Sequence, residues 1–81
     1  MKNYSVVLMR PDYIADDVPY GQDCYVAFVR ANNPLHARSV GQLEVFNIDA
    51  KDELEPSCAE DYHPLLVLEG HVDIALYGFQ L

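Results

Sequence analysis

Three segments of this chain are apolar at odd and even positions alike, and this feature constrains the fold most. They are residues 4–10, residues 24–31 and the start of the run 64–77. Successive side chains of a strand point to opposite faces, so a strand of this kind is buried on both sides of its sheet. The β-branched and aromatic content also favours strands, and Pro11, which cannot donate to a ladder, ends the first one.

The third segment adds a regular alternation. The even positions from Leu66 to Leu76 are Leu, Leu, Gly, Val, Ile and Leu. A period of two indicates a sheet with one buried face. Gly70 interrupts the run, so either one bent strand crosses it or it divides two shorter strands.

One helix is predicted between the second and third segments, over residues 34–47. Asn33 can accept a hydrogen bond from a free amide at the helix start, and Pro34 suits the first helical position. Gly41 is expected to let the helix approach the sheet closely. Alternatively, residues 43–48 begin a strand. The apolar side of the helix is expected to comprise Leu35, Ala37, Val40, Leu43, Phe46 and Ile48.

The predicted order is β-β-α-β or β-β-α-β-β. This is an α+β fold, in which a small antiparallel sheet of three or four strands carries one helix on one face. With 81 residues there is room for one hydrophobic core, so residues 1–81 are expected to form a single domain. The acidic, proline-containing segments 11–23 and 49–63 are expected to be loops, the second with room for one helical turn.

A single helix leaves the second face of the sheet without cover. A large exposed apolar patch is unusual on a soluble monomer, so we expect a two-fold homodimer packed through that face. The alternative is that loop 11–23 folds across it, using Tyr13, Ile14 and Tyr20. The candidate interface residues are Val7, Met9, Tyr25, Ala27, Val29, Leu65 and Val67.

The charge balance bears on the kind of partner. Thirteen acidic and five basic residues give a formal net charge of -8, and the cations are scattered. Direct binding to nucleic acid or to an anionic membrane is therefore not expected. The acidic excess suits solubility, or a basic protein partner. An acidic inhibitor or nucleic-acid mimic would need one continuous face formed by Asp16, Asp17, Asp23, Asp52, Glu53 and Glu55.

The cysteines and the N-terminus favour the cytoplasm. Residues 1–10 do not resemble a secretory signal, and the longest apolar run, residues 65–68, is too short to cross a bilayer. In a reducing compartment Cys24 and Cys58 are expected to remain free thiols.

The strongest chemical constellation is Glu69, His71 and Asp73, with His63 at the start of the same run. A histidine between two carboxylates has the ingredients of a divalent-metal site or a general base. Residues two apart on a strand lie roughly 6.5–7 Å apart, so convergence on one ion needs a bend, which Gly70 can supply. The competing interpretation is a solvated strand end with a salt-bridged histidine.

Cys58 takes part in two weaker constellations. A zinc site formed with His63 and His71 lacks paired ligand spacing. A Cys58 nucleophile with His63 as base lies in an acidic loop, which raises a thiol's pKa. No glycine-rich phosphate loop, EF-hand loop or nucleophile elbow is present in the sequence, so no cofactor is expected.

The sequence therefore favours a small acidic interaction protein that is not an enzyme and acts as a homodimer through an apolar sheet face. In size and charge it is of the kind that bacterial phages and mobile elements encode as accessory proteins. The alternatives are an acidic inhibitor of a basic partner, or a small-ligand or metal-dependent site centred on His71.

Overall fold

The computed structural model of the chain describes residues 1–16 and 23–72. The order of the main elements is β-β-α-β, and the α+β prediction is confirmed. The elements are β1 (Lys2–Met9), α1 (Asp12–Ala15), β2 (Cys24–Ala31), α2 (Pro34–Lys51), a 3₁₀ turn (Ala59–Asp61) and β3 (His63–Glu69).

The described strands form one antiparallel sheet in the order β2-β1-β3. Val6 lies at its centre, opposite Ala27 on β2 and Val67 on β3. The register between β1 and β3 shifts after Val7, which pairs with Leu66 while Leu8 pairs with Pro64. This bulge leaves Leu65 without an opposite residue on β1.

Helix α2 covers the face of the sheet that carries Tyr4, Val6 and Leu8. Its buried residues, spaced four apart, are Ala37, Gly41, Val45 and Asp49. A Cβ atom built on Gly41 would lie 3.0 Å from Cβ of Val6, so the close approach expected at Gly41 is confirmed.

The predicted apolar side of the helix is wrong at two positions. Leu35 and Leu43 are 71% and 53% exposed. The small residues Ala37 and Gly41 face the sheet because the two backbones meet there, and this rotates the two leucines toward solvent.

The start of α2 is as predicted. Oδ1 of Asn33 accepts a hydrogen bond from the amide of His36 at 2.8 Å, and Pro34 occupies the first turn. The helix continues through residues 43–48 to Lys51, which removes the alternative of a strand there.

The second face carries Ser5 and Val7 of β1, with their neighbours Phe28, Val26, Leu66 and Leu68. Ser5 and Val7 are fully buried within the single chain.

At Gly70, which has φ +92°, β3 has ended and the chain turns onto this face. Oγ of Ser5 donates to the carbonyl of Gly70 at 2.7 Å and accepts from the amide of Val72 at 2.8 Å. Gly70 therefore ends a strand, and positions 73–77 of the predicted run lie outside the described residues.

The segment 11–16, predicted as loop, contains the short helix α1. The hydroxyl of Tyr13 donates to Oδ2 of Asp61 at 2.5 Å and accepts from the amide of Ser57 at 3.0 Å. This end of the segment is thus held against the chain that precedes β3. Tyr20 lies outside the described residues. Across residues 1–16 and 23–72, no helix combines the length and apolar character that crossing a membrane requires.

Candidate interaction surface

The seven candidate interface residues are divided between the two faces of the sheet. Val7 and Met9 lie on the second face, and Leu65 lies at the bulge. Ala27 and Val29 are buried in the core beneath α2, and Tyr25 and Val67 pack against that core. The division arises from the register, since Val6 pairs with Ala27 and even positions of β1 thereby share a face with odd positions of β2. The apolar residues of β2 and β3 on the second face are Val26, Phe28, Leu66 and Leu68.

Strand β3 presents exposed apolar side chains at one edge of the sheet. Leu65 is 47% exposed and Leu66 is 39% exposed. A groove of about 390 Å³ runs beside them, lined by Arg38, Pro64, Leu65, Leu66 and Val67. We call these five residues the β3 surface. The predicted interface includes Leu65 and Val67 but not Leu66, and Arg38 has no sequence signal of its own.

The backbone of β3 has an outer edge as well. The amide of Gly70 donates to the carbonyl of Asn3 at 2.6 Å. Ladder bonds alternate along antiparallel strands, so Leu68 and Leu66 also bond toward β1 while Val67 and Glu69 direct their N–H and C=O groups outward. No described strand pairs with this outer edge.

Charge is distributed unevenly along the sheet. The end at Met9 and His63 adjoins α1, the end of α2 and the 3₁₀ turn. The described cations at this end are Lys51 and the buried Arg10, and acidic residues outnumber them. We call it the acidic end; its carboxylates are Asp12, Asp16, Asp23, Asp52, Glu53, Glu55, Glu60 and Asp61.

The opposite end, near Lys2 and Arg30, is called the basic end. Glu69 lies here too, with its Oε1 3.4 Å from Nζ of Lys2. A polar groove of about 510 Å³ occupies this end, lined by Met1, Lys2, Asn3, Arg30, Glu69 and Gly70.

The structure separates the described members of the predicted histidine constellation. The ring of His71 packs on Phe28 with ring centroids 5.2 Å apart, and its Nε2 lies 3.3 Å from the carbonyl of Val29. Glu69 is directed to Lys2, and His63 lies at the far end of β3. Asp73 lies outside the described residues. Within residues 1–16 and 23–72, no three potential metal-ligating side chains come together.

Both cysteines are free, as predicted, and the pKa of each thiol is raised. A hydrogen bond with Asp61 is the largest effect raising the pKa of Cys58. Burial raises the pKa of Cys24, and the charge of Asp23 adds to it. The hydrogen bonds from Tyr13 and Cys58 lower the pKa of Asp61. These side chains hold the 3₁₀ turn against α1.

A buried polar group near the acidic end was not predicted. Nε and Nη2 of Arg10 each lie 3.0 Å from an oxygen of the fully buried Asp49, and the hydroxyl of Tyr62 donates to Oδ2 of Asp49 at 2.6 Å. The guanidinium carbon of Arg10 also lies 5.6 Å from the ring centroid of Tyr25. The residues come from separate parts of the chain, so no local spacing could have revealed the group. Each buried polar side-chain atom of these described residues has a hydrogen-bond partner, which is the behaviour of a structural clamp.

No family model, curated protein or solved structure matches this chain. The fold and its surfaces define an acidic α+β protein with a three-stranded described sheet and an apolar edge strand. Any function assigned to the chain therefore rests on its own residues.

Proposed function

We propose that this chain is a non-enzymatic interaction protein that acts as a homodimer. The observation that carries the proposal is the β3 surface, where Leu65 and Leu66 are exposed on a strand at the edge of the sheet. Exposed apolar edge strands are sites of association, because both the side chains and the free backbone groups gain partners.

The state of the reactive side chains supports a binding role over a chemical one. The thiol of Cys58 is held by Asp61, and His71 is packed on Phe28. The carboxylate of Asp49 is engaged by Arg10 and Tyr62. Each of these groups is used to hold one part of the chain against another.

Light scattering and sedimentation at micromolar concentrations test the proposal. A dimer has twice the chain mass of 9.2 kDa, and its dissociation on dilution gives the affinity. A mass of one chain at every concentration would rule out the homodimer.

The acidic end favours a second candidate function, binding to a basic protein. Carboxylates from α1, from the end of α2 and from the 3₁₀ turn lie at one end of the sheet. Asp17, which the mimic hypothesis also requires, lies outside the described residues. Capture of a basic protein from the native host at low salt, with release as salt is raised, would support this candidate. Capture that is insensitive to salt would contradict it.

A further inference from the structure

We infer that two copies of the chain pair antiparallel through the outer edges of their β3 strands, forming one continuous sheet with both α2 helices on the same face. The inference rests on the proposed homodimer and specifies its interface. The outward N–H and C=O groups of Val67 and Glu69 supply the backbone bonds. Pro64 has no N–H, so pairing is confined to the later part of the strand.

The charge distribution identifies a second copy as the occupant. Strand β3 runs from the acidic end at His63 to the basic end at Glu69, beside Lys2 and Arg30. An antiparallel pairing sets the acidic end of each copy beside the basic end of the other. The two sets of carboxylates then lie at opposite ends of the joined sheet, which limits the repulsion between two chains of net charge -8.

Arg38 and Glu69 provide a more specific complement. Arg38 lines the groove beside Leu65 and Val67, and the described residues hold no ion-pair partner for it. Antiparallel pairing brings Glu69 of one copy next to this part of β3 on the other. The two-fold symmetry repeats the Arg38–Glu69 pair, and both pairs flank the leucines that the interface covers.

The second face of the sheet is a weaker docking surface. Ser5 and Val7, at its centre, are fully buried within one chain, and the turn at Gly70 crosses Ser5. Phe28 is 50% exposed on this face, and one side of its ring already packs against His71. The β3 edge, in contrast, combines exposed leucines with outward backbone groups.

A matched pair of leucine substitutions tests the position of the interface. Leu65→Glu places a charge in the proposed interface, and each dimer carries it twice. We expect the dissociation constant of the Leu65→Glu dimer to rise about a hundredfold or more. Leu43→Glu changes a leucine of similar exposure on α2, 53% against 47% at Leu65, and should leave the affinity unchanged. Equal affinities for both variants would place the interface elsewhere while leaving the homodimer intact.

A charge exchange tests the orientation. Arg38→Glu alone and Glu69→Arg alone each place like charges opposite one another, and we expect about tenfold weaker dimers. The double variant R38E/E69R restores opposite charges and should return close to the affinity of the unchanged chain. Additive weakening in the double variant would overturn the antiparallel arrangement.

Hydrogen exchange of individual backbone amides tests the pairing directly. Exchange at Val67 and Glu69 should slow as the concentration rises and the dimer forms, whereas Leu66 and Leu68, bonded to β1, should be protected at every concentration. Protection of Val67 and Glu69 in the monomer would mean that the chain covers its own edge, and would overturn the inference. Rapid exchange of both amides in a chain shown to be dimeric would also overturn it, but would leave the proposed function standing.

Discussion

The carboxylate of Asp49 joins three parts of the chain. It accepts two hydrogen bonds from Arg10, which follows β1, and one from Tyr62, which precedes β3. Asp49 lies on α2, so the group ties the helix to both strands. A buried ion pair gains its stability only when its remaining polar atoms are satisfied, and here Tyr62 provides that bond.

Loss of the Asp49 carboxylate should therefore be severe. Asp49→Ala removes the buried carboxylate that accepts two hydrogen bonds from Arg10, and we expect a loss of about 3–5 kcal/mol in the free energy of unfolding. Urea denaturation followed by circular dichroism measures it. Asp52→Ala, at an exposed carboxylate three residues further on, is the control and should change stability by less than about 0.5 kcal/mol. Equal effects from the two variants would show that the clamp contributes nothing.

Tyr62 makes the stability sensitive to alkaline pH. Burial, together with the hydrogen bond to Asp49 and its charge, raises the pKa of Tyr62 well above its ordinary value of 10.0. Above pH 10.0 the hydroxyl of Tyr62 loses its proton in the unfolded chain but keeps it in the folded chain. The free energy of unfolding should then fall by about 1.4 kcal/mol per pH unit from this residue.

The pH dependence can be separated from that of the other tyrosines by Tyr62→Phe. We expect this variant to be less stable at neutral pH by about 1–3 kcal/mol, because a hydrogen bond to a charged group is lost. Its stability should also decline less steeply between about pH 10 and 11. Parallel urea midpoints for the two chains across that range would contradict the assignment.

At the scale of secondary structure, local signals were sufficient for β2 and for the start of α2. The sequence predicts a strand over residues 24–31, which form β2, and Asn33 caps α2 as expected. Both signals lie within a few adjacent residues. The strand periods do not reveal register, because one residue of offset exchanges the two faces. The pattern therefore predicts Ala27 and Val29 at the interface, although they lie in the core.

The buried side of α2 could not be predicted for a related reason. Its contact line runs through Ala37, Gly41 and Val45 and ends at a charged residue, Asp49. A search for large apolar residues selects Leu35 and Leu43 in their place. The aspartate is buried only because Arg10, distant in sequence, meets it there.

The contact between Gly41 and Val6 gives a test at this scale. In an exposed helix, Gly→Ala would stabilise by about 1 kcal/mol. Here the new methyl group would meet Val6, fully buried on the central strand, at 3.0 Å. We expect Gly41→Ala to lower the free energy of unfolding by about 1–3 kcal/mol. Thermal and urea unfolding measure the change.

Ser39→Ala, at an exposed position of the same helix, is the matched control and should stabilise slightly. Combining Gly41→Ala with Val6→Ala should cost less than the sum of the single changes, since the smaller residue makes room for the methyl group. Stabilisation by Gly41→Ala alone would show that the helix can move away from the sheet.

At the scale of the whole molecule, the order β2-β1-β3 leaves the exposed leucines and the charge gradient on the same strand. The sequence shows the excess of acidic residues but not their position at one end of the sheet, because the loops that carry the carboxylates are far apart along the chain. Folding brings α1, the end of α2 and the 3₁₀ turn to one end of the sheet. The same arrangement makes self-pairing of β3 favourable in one orientation and unfavourable in the other.

Dimerisation through β3 predicts that stability depends on protein concentration. A dimer that unfolds to two chains gains about 1.4 kcal/mol for each tenfold rise in concentration, or about 0.7 kcal/mol per chain. For a chain of 81 residues this corresponds to a rise in Tm of roughly 3–5 °C. Differential scanning calorimetry over two decades of concentration measures it. Leu65→Glu should give a Tm independent of concentration, whereas Leu43→Glu should retain the dependence. The outcome that would contradict this prediction is a constant Tm for the unchanged chain at concentrations where light scattering shows a dimer. Folding and association would then be uncoupled, and the paired β3 edges would contribute little to holding the two copies together.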